Sequence, residues 1–305
     1  MVFDIDCMCT FDVLECWEDV RRIEKYEDKF GSLVFQKLFE RSPPLKLLFG
    51  FPIDVDPTSP SVQKSPRFTT HARFLTSMLD RTVNVLGPDI DLLAEILSAS
   101  AKKHIRFGLE VEHFAYMSDV FIESLSELLG DRFTSMRRDS WQTVLDEIRT
   151  EMVKSMNLEK AVFASWSKVK EIPNYREVAG SKLFHSMFLK CPDSKVPFGI
   201  PLDADPDSPT VRNSLAFRVH SVRFVDMLDR ALTMMEAKHL SEEMIRLGAK
   251  HGKMGVTPSM FQSLCEALLQ TLGEILPEHA WDEDTREAWF LMFSKLSTQM
   301  IKAMP

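Results

Sequence analysis

Along most of the chain, apolar residues recur at three- and four-residue intervals, the spacing that gathers them on one face of an α-helix. Phe68, His71, Leu75, Met78, Leu79 and Thr82 form one such stripe, and Phe217, His220, Phe224, Met227, Leu228 and Ala231 form a second of the same shape. No segment sustains the alternation of a half-buried strand, so the fold class read from the pattern is all-α. In the first half the pattern predicts helices over residues 11–25, 29–41, 67–86, 92–106, 111–129 and 135–155. Pro43-Pro44 halts the second, because proline cannot continue a helix. Residues 50–65, rich in Pro, Asp and Ser, read as an irregular connection. Gly87-Pro88 breaks the third helix, and Gly108 predicts a left-handed cap on the fourth.

The second half repeats the first. Trp17 and Trp166, Phe35 and Phe184, Phe39 and Phe188, Pro43 and Pro192, Phe49 and Phe198, Phe68 and Phe217, and His71 and His220 are each separated by 149 positions. The proline-rich loop is duplicated too. The separation is 147 at His104 and His251 and 148 at Trp141 and Trp289, changes that a loop absorbs and a helix interior would not. Two domains follow, residues 1–155 and 156–305, with the boundary near Met156-Asn157, Asn157 serving as the cap of the next helix. Such a linker is too short for free motion.

Composition narrows the class. The chain of 305 residues is 45% hydrophobic and 27% charged, as expected for a soluble globular protein with two cores of ordinary size. A net charge of -8 argues against a nucleic-acid partner, whose phosphates call for a basic surface. No apolar run approaches the roughly 20 residues of a membrane span, and the first ten residues carry acidic Asp4 and Asp6 rather than the basic lead-in of a secretory signal. The cysteines, Cys7, Cys9, Cys16, Cys191 and Cys265, are odd in number and unevenly placed, which suits reduced thiols in a cytoplasmic protein. Cys7 and Cys9 are too close to the end of the chain to read as a metal or redox pair.

The chemistry resides in histidines. His71 and His220 each occupy an otherwise apolar stripe, where an imidazole is either a hydrogen-bonded core residue or a ligand. His104 and His251 each end a helix. There an imidazole either caps the helix as a cation or, held neutral by a carbonyl on one nitrogen, offers the other to a metal. An apolar residue follows each five positions on (Leu109, Val256) and a phenylalanine ten positions on (Phe114, Phe261). His113, His185, His239 and His279 lack this repetition and read as surface or packing residues. The 17 methionines read as core filler.

Trp17, Phe39, Pro43, Phe49, His71, His104 and Phe114, repeated as Trp166, Phe188, Pro192, Phe198, His220, His251 and Phe261, resemble the globin family in order and spacing. The resemblance covers nearly the whole chain and implies two tandem three-on-three globin folds, each holding one haem b. It implies His104 and His251 as proximal iron ligands, and His71 and His220 as distal residues that hydrogen-bond a bound gas or bind the iron as sixth ligands. It further implies Phe49, Phe68, Leu75, Leu109 and Phe114, with Phe198, Phe217, Phe224, Leu247, Val256 and Phe261, around the two porphyrins. Phe35 and Phe184, with Leu75 and Phe224, would line the ligand side. Three features depart from the family pattern. Ser100 stands where globins carry leucine and where the second copy has Leu247, leaving the first proximal pocket looser or more polar. Arg223, a propionate partner by charge-assisted bonding, matches Phe74 in the first copy. Phenylalanine at 35 and 184 replaces the tyrosine that would add a second hydrogen bond to oxygen. The implied function is reversible binding of O2, CO or NO for storage, transport or scavenging. The alternatives are nitric-oxide dioxygenation, peroxidase-like redox chemistry, gas or redox sensing, and a haem-free interaction role. The chain shows no dinucleotide fingerprint or P-loop, so redox cycling would draw on an external reductase. An oligomer is compatible with all of these.

Overall fold

The computed structural model describes residues 7–86, 90–233 and 237–304. Among the described residues every regular element is helical. The contacts divide the chain into two compact units, Met1–Asn157 and Leu158–Pro305. Unit 1 contains α1 (Cys7–Arg21), α2 (Tyr26–Arg41), the single turns α3 (Leu45–Leu48) and α4 (Pro60–Gln63), α5 (Pro66–Val85), α6 (Ile90–Arg106) and α7 (Met117–Leu129). Next comes α8 (Ser135–Lys170). Unit 2 continues with α9 (Tyr175–Lys190), a 3-10 stretch over Pro192–Phe198, α10 (Pro209–Arg212), α11 (Leu215–Thr233), α12 (Ala237–Lys253), α13 (Pro258–Ile275) and α14 (Glu283–Lys302).

Several boundaries differ from the pattern-based reading. The first helix stops at Arg21 rather than near 25, because the chain turns through Lys25 at φ 58° before α2 begins. Asn174 takes the same left-handed conformation before α9, where asparagine is better suited to it than lysine. Residues 111–114 form a separate 3-10 turn ahead of α7. Asn157 caps nothing: α8 runs through it without a break. Its neighbours Met152 and Met156 are buried, so leaving the helix there would expose apolar surface. Gly108 has φ 81°, the left-handed conformation expected of it. The Gly87-Pro88 break lies outside the described residues.

Each unit is built on aromatic packing. Trp17 meets Phe30 edge-on at 5.2 Å and Trp141 at 5.8 Å, while in unit 2 Trp166 meets Trp289 at 5.5 Å. Edge and tilted arrangements of this kind add roughly 0.5–1.5 kcal/mol beyond area burial. Helices α2 and α5 cross with their backbones nearly in contact, since a Cβ built on Gly31 would lie 2.2 Å from the Ala72 carbonyl oxygen. Gly180 repeats the crossing, 2.4 Å from the Ser221 oxygen. These glycines set how deeply the helix carrying His71 or His220 lies against its neighbour.

A carboxylate then locks that helix in register. Asp80, nine positions beyond His71, accepts hydrogen bonds from the Trp17 indole, from Arg21 Nε at 2.9 Å and from the Tyr26 hydroxyl at 2.9 Å. Asp229, nine positions beyond His220, accepts from Trp166 at 2.6 Å and Tyr175 at 2.5 Å. Burial alone would raise the Asp80 pKa, but the three donors outweigh it and hold it below 3.8.

Two outcomes are expected. Asp80→Ala leaves an indole N–H and a phenol without their acceptor and lowers the unfolding free energy by roughly 2–3 kcal/mol in urea titrations at neutral pH. Because the folded pKa is the lower one, this contribution is complete above about pH 4 and disappears as pH falls through the folded value, so wild type and variant converge in acid. Gly31→Ala pushes α2 off α5 and costs roughly 1–3 kcal/mol by the same titration.

Candidate functional site

In unit 1 the two histidines face each other from successive long helices. His71 lies in the middle of α5 and His104 in the last turn of α6, with ring centroids 6.4 Å apart and planes inclined by 75°. His220 on α11 and His251 on α12 repeat the arrangement at 5.9 Å and 59°.

The protonation of these rings follows from their partners. His104 Nδ1 lies 2.8 Å from the Ser100 carbonyl oxygen, and His251 Nδ1 lies 2.8 Å from that of Leu247. A carbonyl only accepts, so Nδ1 carries the proton and Nε2 keeps its lone pair on the side opposite the bond. Burial, aided by the Lys103 charge and opposed by the Ser100 carbonyl, holds the His104 pKa below its ordinary value. Burial lowers His71 to about 4, with a smaller contribution from His104. His220 falls to about 4 for the same reason, with further contributions from His251, Arg223 and Lys250. At neutral pH His71, His104 and His220 are therefore uncharged and able to donate a lone pair.

Aromatic rings enclose the distal side. Phe35 and Phe49 meet the His71 ring at 5.1 and 5.2 Å, and Phe184 and Phe198 both meet His220 at 5.2 Å. Phe114 stands edge-on to His104 at 5.6 Å. Leu109 and Val256 are held in place by their own N–H groups, which donate to the His104 and His251 carbonyls at 3.0 and 3.1 Å. Leu247, Val256 and Phe261 share one small apolar cluster with Met244 and Met300. Leu75 is half-buried on the unit 1 core and Phe224 is buried in the unit 2 core. Arg223 and Phe74 are both exposed.

Two of the residues placed around the porphyrins from sequence sit one layer further back. Phe68 packs on Phe35 at 6.2 Å and on Phe39 at 6.1 Å, and Phe217 packs on Phe188 at 5.8 Å. Both are buried: Phe68 backs Phe35, which touches His71, and Phe217 reaches Phe198 only through Phe188. Ser100 makes its pocket more polar: its hydroxyl lies 3.3 Å from His104 Nδ1 and donates toward the Met78 sulfur at 3.7 Å.

A buried lysine in each copy escaped the sequence reading. Lys46 donates to the carbonyls of Ile53 and Val55 at 2.9 and 2.8 Å. Lys195 donates to Leu202 and Ala204 at 2.9 and 2.7 Å. Each closes the loop that follows Phe49 or Phe198, and so steadies the ring on the distal histidine. Its recurrence at the 149-residue separation, amid leucines in the first copy, was the available signal. Of the other histidines, His113 accepts the Glu110 N–H at 2.7 Å and His185 lies 3.2 Å from the Asp207 carboxylate. Among the described residues no disulfide is formed, and burial pushes the Cys16 thiol up to about 11.

Among the described residues no cluster of three or more His, Cys, Asp or Glu side chains could hold a metal ion. A metal between two facing imidazoles thus needs its remaining donors from another source. The globin family model matches residues 32–152 and again residues 181–300. The chain belongs to the globin family. It is a globin twice over, and that membership implies haem binding and the binding of small gases at the haem. The chain is similar to neuroglobin of Danio rerio, 25% identical over 142 residues that span 47% of this chain and 86% of that protein. Neuroglobin-2 of Oncorhynchus mykiss is 29% identical over 125 residues, 41% of this chain and 76% of that protein. Neuroglobin of Dissostichus mawsoni is 27% identical over 125 residues, again 41% and 76%. Among the described residues no helix of this globin is long and apolar enough to cross a membrane.

The lysine clamp gives a further expected outcome. Lys46→Ala removes the shared donor of the Ile53 and Val55 carbonyls, leaves a void at a buried position and lowers stability by about 1–2 kcal/mol in urea titration.

Proposed function

We propose that each unit binds one haem b and that the chain reversibly binds O2, or a related diatomic gas, at two irons, for storage, transport or scavenging in a reducing cytoplasm. The observation that carries this reading is the facing histidine pair, found twice, with each proximal Nδ1 pinned to a main-chain carbonyl. The donor set fits the group. Metal–imidazole bonds of about 2.0 Å place the centroids of two rings on opposite sides of one ion roughly 6 Å apart, which both pairs match, and a porphyrin supplies the four donors that the protein lacks.

When bound, haem b supplies an iron that takes a gas ligand and exchanges single electrons. The residues do the rest. His104 and His251 present Nε2 from a fixed tautomer. Phe35, Phe49 and Phe114, with Phe184, Phe198 and Phe261, exclude water and cover porphyrin surface. His71 and His220 either donate an N–H to the gas or give their lone pair to the iron. Arg223, exposed on α11, would pair a propionate in unit 2. Ser100 adds a second oxygen beside the His104 Nδ1 proton.

The spacing of the pairs favours a second reading, in which both distal histidines ligate the iron and the protein works in nitric-oxide or other redox chemistry, or in sensing, with an external reductase. Visible spectroscopy separates the two. With haem counted per chain, two haems are expected under both readings; two sharp visible bands after dithionite reduction, the signature of iron held by two imidazoles, would favour the second. A single broad band would place His71 and His220 off the iron and favour plain oxygen carriage. A chain that takes up no haem overturns both readings. His104→Ala and His251→Ala should each reduce the haem count to about one.

A further inference from the structure

We infer that the two units differ in access, unit 1 admitting a diatomic ligand readily and unit 2 admitting it slowly, with Phe224 as the residue that narrows unit 2. This rests on the proposed haem in each unit. The argument starts from helix geometry. Leu75 follows His71 by four positions on α5, and Phe224 follows His220 by four on α11, so each lies one turn away on the histidine's own face. The two units therefore place different side chains at the same point beside the distal imidazole.

The leucine is half-buried against the unit 1 core. The phenylalanine is caged. Phe224 is 8% exposed, its ring meets Phe184 edge-on at 5.7 Å and 87°, and it leans on Phe293 at 6.3 Å. Phe184 in turn lies 5.2 Å from the His220 ring. By the separation that relates Trp141 to Trp289, Phe293 corresponds to Leu145. Two leucines of unit 1 have become two phenylalanines in contact in unit 2. Moving Phe224 aside breaks both ring contacts at once, in a core with no slack to receive it.

The remainder of unit 2 is tighter in the same sense. A Cβ on Gly248 would lie 2.0 Å from the Met300 oxygen, so α12, which carries His251, is seated directly on α14. Ala101 holds the corresponding place in unit 1. The histidine rings are 5.9 Å apart in unit 2 against 6.4 Å in unit 1. His71 is exposed, as is Phe74 three positions on at 69%, whereas His220 is half-buried. An imidazole displaced by a gas thus has room to move outward in unit 1 and little in unit 2.

The test is CO binding to the reduced full-length protein, with haem counted first. Two haems per chain and two CO phases of equal amplitude are expected, the slow one roughly tenfold to a hundredfold slower, as the cost of forcing volume into a packed core implies. At one CO per chain, half of the CO-free spectrum should persist. Phe224→Leu should remove the slow phase, and Leu75→Phe should slow the fast one. The single-haem variant His104→Ala should retain only the slow phase. Two haems with a single CO phase, or a slow phase that Phe224→Leu leaves unchanged, overturns this inference while the proposed function stands. A haem count below two overturns the two-haem reading and this inference with it.

Discussion

Each unit depends on one half-buried carboxylate, nine positions beyond His71 or His220 on the same helix. Asp80 gathers Trp17, Arg21 and Tyr26, and Asp229 gathers Trp166 and Tyr175, so a single group ties three helices together. An ionised acceptor with several donors is stronger and more directional than apolar packing, which tolerates sliding. With α5 and α11 held in register there, and drawn close to α2 and α9 at Gly31 and Gly180, the distal histidines have one available position.

The proximal histidines are placed by a different device. The carbonyl four residues earlier accepts the Nδ1 proton, so the helix's own backbone chooses the tautomer and aims Nε2 at the opposite ring. The bond needs no particular side chain at that position, which explains why Ser100 and Leu247 serve equally well as its source. The side chain instead changes what surrounds the bond. Ser100 introduces a hydroxyl beside the imidazole, and Leu247 introduces an apolar wall.

The two copies have kept their scaffold and changed their walls. The carboxylate hub, the crossing glycines, the buried lysine clamp and His71 with His220 recur at a separation of 149, and His104 with His251 at 147. Around the distal ring, however, Leu75 and Phe224 differ, as do Leu145 and Phe293, and Phe74 and Arg223. The two sites thus share one scaffold and differ in the side chains around it.

Much of this was legible in the amino-acid sequence. Helical periodicity, proline and glycine breaks, the duplication and both histidine pairs follow from local geometry and spacing, which do not depend on the rest of the fold. That is why Gly108 could be assigned its left-handed turn and His71 its place on an apolar stripe. Tertiary packing decided the rest. Asn157 has the chemistry of a cap, but capping yields only about 1 kcal/mol, less than the burial of Met152 and Met156 in a continuous helix. Lys46 reads as a surface residue until the loop folds over it and its carbonyls need a donor. Phe68 and Phe49 look alike along the chain, yet only the packing of α2 against α5 sets one against the histidine and the other behind it. A sequence states which groups share a helix face; which face meets which depends on contacts between residues far apart in the chain.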